Sequence, residues 1–190
     1  MKIGKFETEL SSYLWVLPFI GGLIAIISLI TPAGYIVESE GNSFKFWIWG
    51  MWVSKLDRGV VAISNNIFLE GTYLISGIIS SFIILTTSVI VMMDALRMRR
   101  KKISIENKKN LWTWCGILIL IATMLWMIEI SFVSYYDIMV EFGAWENYYS
   151  PPTADDFTTP FWFYFEMDFG VIGPLINGSL LIFTRILIKR

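Results

Sequence analysis

The sequence predicts an all-α membrane protein: a bundle of four transmembrane helices with a small extracytoplasmic cap that contains a short β-hairpin or sheet. Of the 190 residues, 55% are hydrophobic and 16% aromatic, and the mean hydropathy is +0.61. This is more apolar surface than one small soluble core could bury. Four apolar runs have membrane-spanning length. Lys and Arg residues are concentrated between the second and third runs and at the carboxyl end.

The four apolar runs are each long enough to cross a hydrocarbon core of roughly 30 Å as a helix. We predict spans at 13–31, 72–93, 111–135 and 169–188. The first run follows Lys2 and Lys5, as a signal peptide would, but Glu7 and Glu9 neutralise this flank and no A-x-A site follows the run. We therefore expect a retained span, and we treat residues 1–190 as one domain.

The distribution of charge predicts the orientation. The connection 94–110 carries seven Lys or Arg residues against two acids, which marks it as a cytoplasmic loop. The intervening loops 32–71 and 136–168 then lie outside, and the second of them has seven acids and no Lys or Arg. We expect a multi-pass protein of the cell membrane with both termini in the cytoplasm.

The first outer loop contains the stretch FKFWIWGMWVSKL, residues 44–56. It is followed by a turn-like cluster and a second run rich in β-branched residues, so we predict that 44–54 pairs with 59–67 as an antiparallel hairpin. The candidate site residues of this loop are Trp47, Trp49, Gly50 and Trp52. Their aromatic rings suit packing within the cap, an interfacial belt, or a surface for a partner.

The motif Trp49-Gly50-Met51-Trp52, with Pro32 just beyond the first span, resembles the W-G-L-W signature of the claudin and peripheral myelin protein superfamily. The layout of four spans and a long first outer loop is also similar to that family. The resemblance implies lateral self-association, adhesion-like contacts or a structural role in the membrane. In the family two cysteines follow the signature and form a disulfide. Here the one cysteine is Cys115, in the third span, so we carry over no barrier or pore function.

The second outer loop combines its seven acids with many aromatic residues, of which Trp145 and Trp162 are the candidate contact or packing residues. A cation, a basic partner or neighbouring copies of the chain would suit this composition, and so would an interfacial aromatic belt. The loop lacks the spacing of a calcium-binding EF-hand. We predict no metal site and no cofactor.

Within the predicted spans the one acidic residue is Glu129. It lies about 27 Å along the third helix from Leu111, close to the outer interface. A hydrogen bond from Tyr73 or Ser131 would satisfy it there, while an ion or proton role is the alternative. Small residues also recur in the spans, and we expect these pairs to let helices approach closely: Gly21 with Ala25, Gly77 with Ser81, and Gly170 with Pro174.

The composition argues against an enzyme. The chain has no histidine, no phosphate-binding glycine loop and no nucleophile elbow, and its net charge of -1 gives no basic field for nucleic acid. We expect a non-enzymatic membrane protein that acts by lateral or intermolecular contact through its aromatic outer loops, with lipids, itself or another membrane protein as partners. The alternatives are an accessory or structural subunit of a larger membrane complex and an ion-conducting oligomer.

Overall fold

The computed structural model describes residues 13–37, 43–55, 61–64, 72–100, 105–131 and 166–188. Within these ranges the chain forms four helices, α1 Val16–Ile30, α2 Thr72–Arg99, α3 Ile105–Ile130 and α4 Phe169–Ile188. The same ranges contain five strands, β1 Gly34–Val37, β2 Ser43–Phe46, β3 Trp52–Lys55, β4 Val61–Ser64 and β5 Glu166–Met167.

Three helices contain segments that are long and apolar enough to cross a membrane. They are Ile75–Arg99, Asn110–Ile130 and Phe169–Leu187, with mean hydropathies of 2.2, 2.0 and 1.5. Helix α1 is apolar but has 15 residues, which span about 23 Å at 1.5 Å per residue, less than the roughly 30 Å of hydrocarbon. The helical part of the predicted fold is therefore confirmed, and the described residues contain three helices of membrane-spanning length, so the predicted four spans are not confirmed.

The four helices form a ring in which each packs against its two neighbours, in the order α1, α2, α3, α4 and back to α1. Buried residues recur at spacings of three and four, as on α2, where they include Gly77, Ser80, Ile84, Ser88, Val91 and Ala95. This spacing places one stripe of each helix in the core of the ring. Large apolar side chains on all four helices face outward and are exposed, for example Leu23, Phe82, Leu125 and Phe183. That surface suits hydrocarbon rather than water.

The segment 94–110, which the sequence assigns to a cytoplasmic loop, contains the ends of two helices. Helix α2 continues to Arg99, and α3 begins at Ile105. After Asp94, the residues that extend α2 are Ala, Leu, Met and Arg, all of which favour helix. The connection between the two helices is correspondingly short.

The strands form one antiparallel sheet in the order β4-β3-β2-β1-β5. The predicted pairing of 44–54 with 59–67 is confirmed over part of its length, since Trp52 lies opposite Ser64 and Lys55 opposite Val61. The predicted single strand 44–54 is wrong, however, because residues 47–51 make a turn that separates β2 from β3. Gly50 has a φ of 93°, a left-handed conformation that glycine adopts without steric cost.

Candidate functional site: the cap and the polar groups of the bundle

The last residue of β2 and the turn that follows it, here together called the hairpin tip (residues 46–51), are inserted into one end of the ring of helices. Its two backbone hydrogen bonds run from the Gly50 N–H to the Trp47 carbonyl and from the Trp47 N–H to the Met51 carbonyl, both at 2.9 Å. The left-handed glycine then returns the chain into β3, as in three-residue hairpin loops. The turn thereby directs Ile48 inward, and its side chain is 2% exposed.

The hairpin tip contacts two helices through Phe46 and Ile48, and the segment that follows α1 contacts a third. The ring of Phe46, which is fully buried, stacks on Trp126 of α3 with centroids 6.0 Å apart. On α2, Gly77 lies so close to the Ile48 carbonyl oxygen that a Cβ there would overlap it. On α4, the Gly170 N–H donates to the Pro32 carbonyl at 2.7 Å. We call this the cap end of the bundle; it brings together the end of α1, the start of α2, the end of α3 and the start of α4.

Trp47 and Trp49 complete the hydrogen bonding of α1. The last carbonyls of a helix have no partner within it, and here the chain leaves α1 in an extended conformation at Thr31, before Pro32. The Trp49 indole N–H donates to the Leu29 carbonyl, and the Trp47 indole N–H donates to the Ile30 carbonyl, both at 2.8 Å. The two rings lie 6.4 Å apart. These tryptophans therefore act as a C-terminal cap supplied by the hairpin tip.

The double substitution Trp47→Phe and Trp49→Phe should destabilise the protein by about 1 to 3 kcal/mol, because each indole hydrogen bond contributes roughly 0.5 to 1.5 kcal/mol. Unfolding by SDS titration in mixed micelles would measure this loss. The matched control is Trp114→Phe, since Trp114 is 64% exposed on α3; it should change the free energy of unfolding much less. Equal losses in the two variants would contradict the capping role.

The side chains of the other candidate tryptophans are not among the described ones. Trp52 begins β3, with its backbone opposite Phe46, but its side chain lies outside the described residues, as do Trp145 and Trp162 and the whole segment 132–165. The structure therefore brings Trp47, Trp49 and Gly50 together at the hairpin tip.

The face of the sheet that points away from the bundle is polar along part of its width. Tyr35 on β1 lies between Lys45 on β2 and Glu166 on β5, so the three side chains share one face. The Tyr35 hydroxyl donates to Glu166 Oε2 at 2.7 Å. This bond and the charge of Glu166 raise the pKa of the Tyr35 hydroxyl, so the hydroxyl stays protonated, and able to donate, further into the alkaline range than that of an ordinary tyrosine. Lys45 and Glu166 are exposed, and Val53 beside Lys45 is half-buried.

Glu129 lies one turn beyond Trp126 on α3. Its Oε2 atom is buried and accepts no hydrogen bond from the described residues. The predicted partner Ser131 is engaged elsewhere, because its hydroxyl donates to the Met127 carbonyl at 2.6 Å. The side chain of the other predicted partner, Tyr73, lies outside the described residues. The ion or proton role of Glu129 stays a prediction.

A buried ion pair that sequence reasoning missed joins α2 to α3 at the end of the bundle opposite the cap. Asp94 Oδ2 lies 3.0 Å from Lys108 Nζ, and the Asp94 side chain is 4% exposed. Arg97 Nη1 lies 3.7 Å from Asp94 Oδ1 but is 54% exposed. Asp94 follows the buried residues Ser88 and Val91 at the same spacing of three. This helical spacing, continued past the predicted end of the span, could have indicated that Asp94 is buried.

A second missed polar group lies in the core of the ring. Asn177 on α4 is fully buried and donates from Nδ2 to the Ser88 hydroxyl oxygen on α2, at 3.2 Å. This hydrogen bond crosses the ring, because α2 and α4 are not neighbours within it. On the side of α1, Asn177 Oδ1 occupies the space where a Cβ on Gly21 would lie. Asn177 thus links three of the four helices.

In the part of the chain that the structure describes, no three side chains of the His, Cys, Asp or Glu type lie together as a metal site would require. No known protein family model matches the chain, and no curated protein matches its sequence.

Proposed function

We propose that this chain is a four-span protein of the cell membrane, with both termini in the cytoplasm, that acts by contact with other membrane proteins through its cap. The observation that carries the proposal is the way the cap is built. Its inner face is fixed to three helices through Phe46, Ile48 and the backbone at Gly77 and Gly170. Its outer face, with Lys45 and Glu166 exposed, is left for intermolecular contact.

The fourth crossing would be made by α1. This helix packs along both α2 and α4, and its outward side chains Ile20, Leu23 and Ile27 are as exposed as those of the longer helices. Helical geometry begins at Tyr13, before the regular helix, and aromatic residues flank both ends, as at membrane interfaces. The excess of Lys and Arg after α2 favours a cytoplasmic location for that end.

The contact role agrees with the resemblance to the claudin and peripheral myelin protein superfamily, in which lateral association is expected. In this proposal the tryptophans of the hairpin tip fix the cap to α1 and are not part of the contact surface. Their N–H groups are directed at α1. The contact surface is the outer face of the sheet around Lys45, Tyr35 and Val53. Its partner is a second copy of the chain or a different membrane protein.

Native mass spectrometry of the protein, extracted gently from its own host's membranes, would test the contact role. A second copy held at fixed stoichiometry would support lateral self-association, and a different protein would support the accessory-subunit role. Bare monomer throughout would contradict both.

If the outer face of the sheet is the contact surface, Lys45→Glu should weaken the retained complex about tenfold or more, as expected for a central interface residue. Arg100→Glu is the matched control, because it is also an exposed charge reversal but lies at the opposite end of the bundle. Loss of the complex in both variants, or in neither, would place the contact surface elsewhere.

A further inference from the structure

We propose that Arg99, held against Trp15 at the end of the bundle opposite the cap, binds the headgroup of an anionic phospholipid. The proposal depends on the helices lying in a membrane, but not on the contact role of the cap. It concerns the site formed by the start of α1 and the end of α2, here called the basic end.

Among the side chains that the structure describes, two arginines at the basic end have no carboxylate partner. Among the described residues, Asp94 is the acid at this end of α2, and it is already paired with Lys108 and Arg97. Arg99 and Arg100 are both exposed, and neither has an ion-pair partner in the described ranges. Two uncompensated guanidinium groups at a membrane surface attract anionic headgroups.

Arg99 differs from Arg100 in being held in place. Its guanidinium carbon lies 5.2 Å from the centroid of the Trp15 ring, within range of a cation–π interaction. Trp15 is itself supported by Phe19, whose ring meets it edge to face with centroids 6.1 Å apart. Stacking uses the face of the guanidinium and leaves the N–H groups at its edge, which can bind a phosphate through two parallel hydrogen bonds.

The two helices that carry Arg99 and Trp15 present exposed apolar side chains toward the middle of the bundle. On α2, Leu96 and Met93 precede the arginines toward the middle of the bundle, and they are 37% and 48% exposed. On α1, Leu23 is 42% exposed. The acyl chains of a lipid whose phosphate binds Arg99 would therefore lie along these apolar side chains. This arrangement favours a lipid over free phosphate, because free phosphate would bind to the guanidinium only and would make no apolar contacts.

The test measures binding of phosphatidylglycerol and phosphatidylcholine to the purified full-length protein, by native mass spectrometry over a lipid titration. We expect the native protein to prefer phosphatidylglycerol, and Arg99→Gln to weaken that binding about tenfold, since a charged, two-pronged phosphate contact is lost. Arg100→Gln, the matched control, should weaken it much less. Trp15→Leu, which keeps the charge but removes the stacking partner, should also reduce the preference.

Several results would overturn the proposal. Equal loss in Arg99→Gln and Arg100→Gln would show that diffuse charge alone attracts the lipid. Full retention in Trp15→Leu would show that the stacked geometry is irrelevant. Equal binding of the two lipids by the native protein would remove the preference itself. Displacement of phosphatidylglycerol by inorganic phosphate at matched ionic strength would identify a phosphate site that makes no use of the acyl chains. SDS unfolding of each variant separates loss of binding from loss of fold.

Discussion

Gly77→Val is expected to detach the hairpin tip from the bundle and to destabilise the protein by at least about 3 kcal/mol. Any Cβ at residue 77 would overlap the carbonyl oxygen of Ile48. Because that neighbour is backbone, it cannot rotate away as a side chain would, so the whole tip has to move. Ile48 and Phe46, now 2% and 0% exposed, would then leave the end of the ring.

Two measurements distinguish detachment of the tip from general misfolding. SDS unfolding gives the loss in free energy of unfolding. Hydrogen exchange, read by mass spectrometry, should show that the substitution speeds exchange in residues 43–55 more than in the middle of α2, relative to the native protein. Ile79→Ala on the same helix is the control, since Ile79 is 52% exposed to the surroundings of the bundle and should lose little stability. Unchanged exchange in the hairpin of the Gly77→Val protein would mean that the tip is not held at Gly77.

The helices could be predicted because their signals are local. Long apolar runs, and apolar residues at spacings of three and four, are local patterns that follow from composition and helical geometry. Helices α2, α3 and α4 could therefore be predicted from the sequence. The hairpin was predictable in part for the same reason, since a β-branched run follows a turn-like cluster. The break at residues 47–51 was missed because both sides of the turn are equally apolar, and the left-handed conformation of Gly50 shows only in the backbone.

The partners of the small residues could not be predicted. Gly77 was expected to bring two helices together; its nearest neighbour is the hairpin tip, with the Trp126 indole of α3 next, and Gly170 lies against Pro32 and Ala33. Gly116 and Gly178, which the sequence did not single out, instead bring α3 and α4 into backbone contact. A glycine in a span indicates that something approaches closely; which element approaches depends on the tertiary arrangement.

The role of the tryptophans could not be predicted from the sequence either. Three tryptophans in the segment predicted to be the first outer loop are compatible with a belt, a core or a partner surface, because an aromatic ring with one N–H group suits all three. The structure distinguishes the uses of two of them by the direction of the indole N–H groups, toward Leu29 and Ile30 at the end of α1. That direction depends on a turn over the end of a helix distant in sequence, and no local pattern encodes it.

The buried ion pair between Asp94 of α2 and Lys108 of α3 leads to the second large effect. Lys108→Met should destabilise the protein by about 3 kcal/mol, because it leaves the carboxylate of Asp94, 4% exposed, without its closest cation. We take the lower end of the range for broken buried pairs, since Lys108 is itself 27% exposed and Arg97 remains 3.7 Å away.

The double variant Asp94→Leu and Lys108→Met separates the cost of an unpaired charge from the worth of the pair. Removing both charges leaves nothing buried without a partner, and replacement of a buried pair by apolar side chains of similar volume is often neutral or stabilising. The double variant should therefore recover most of the stability that Lys108→Met loses in SDS unfolding. Arg97→Gln is the control and should cost less than about 1 kcal/mol, because exposed ion pairs contribute little. If the double variant is less stable than Lys108→Met alone, the pair itself holds α2 to α3, and desolvation of Asp94 is the smaller effect.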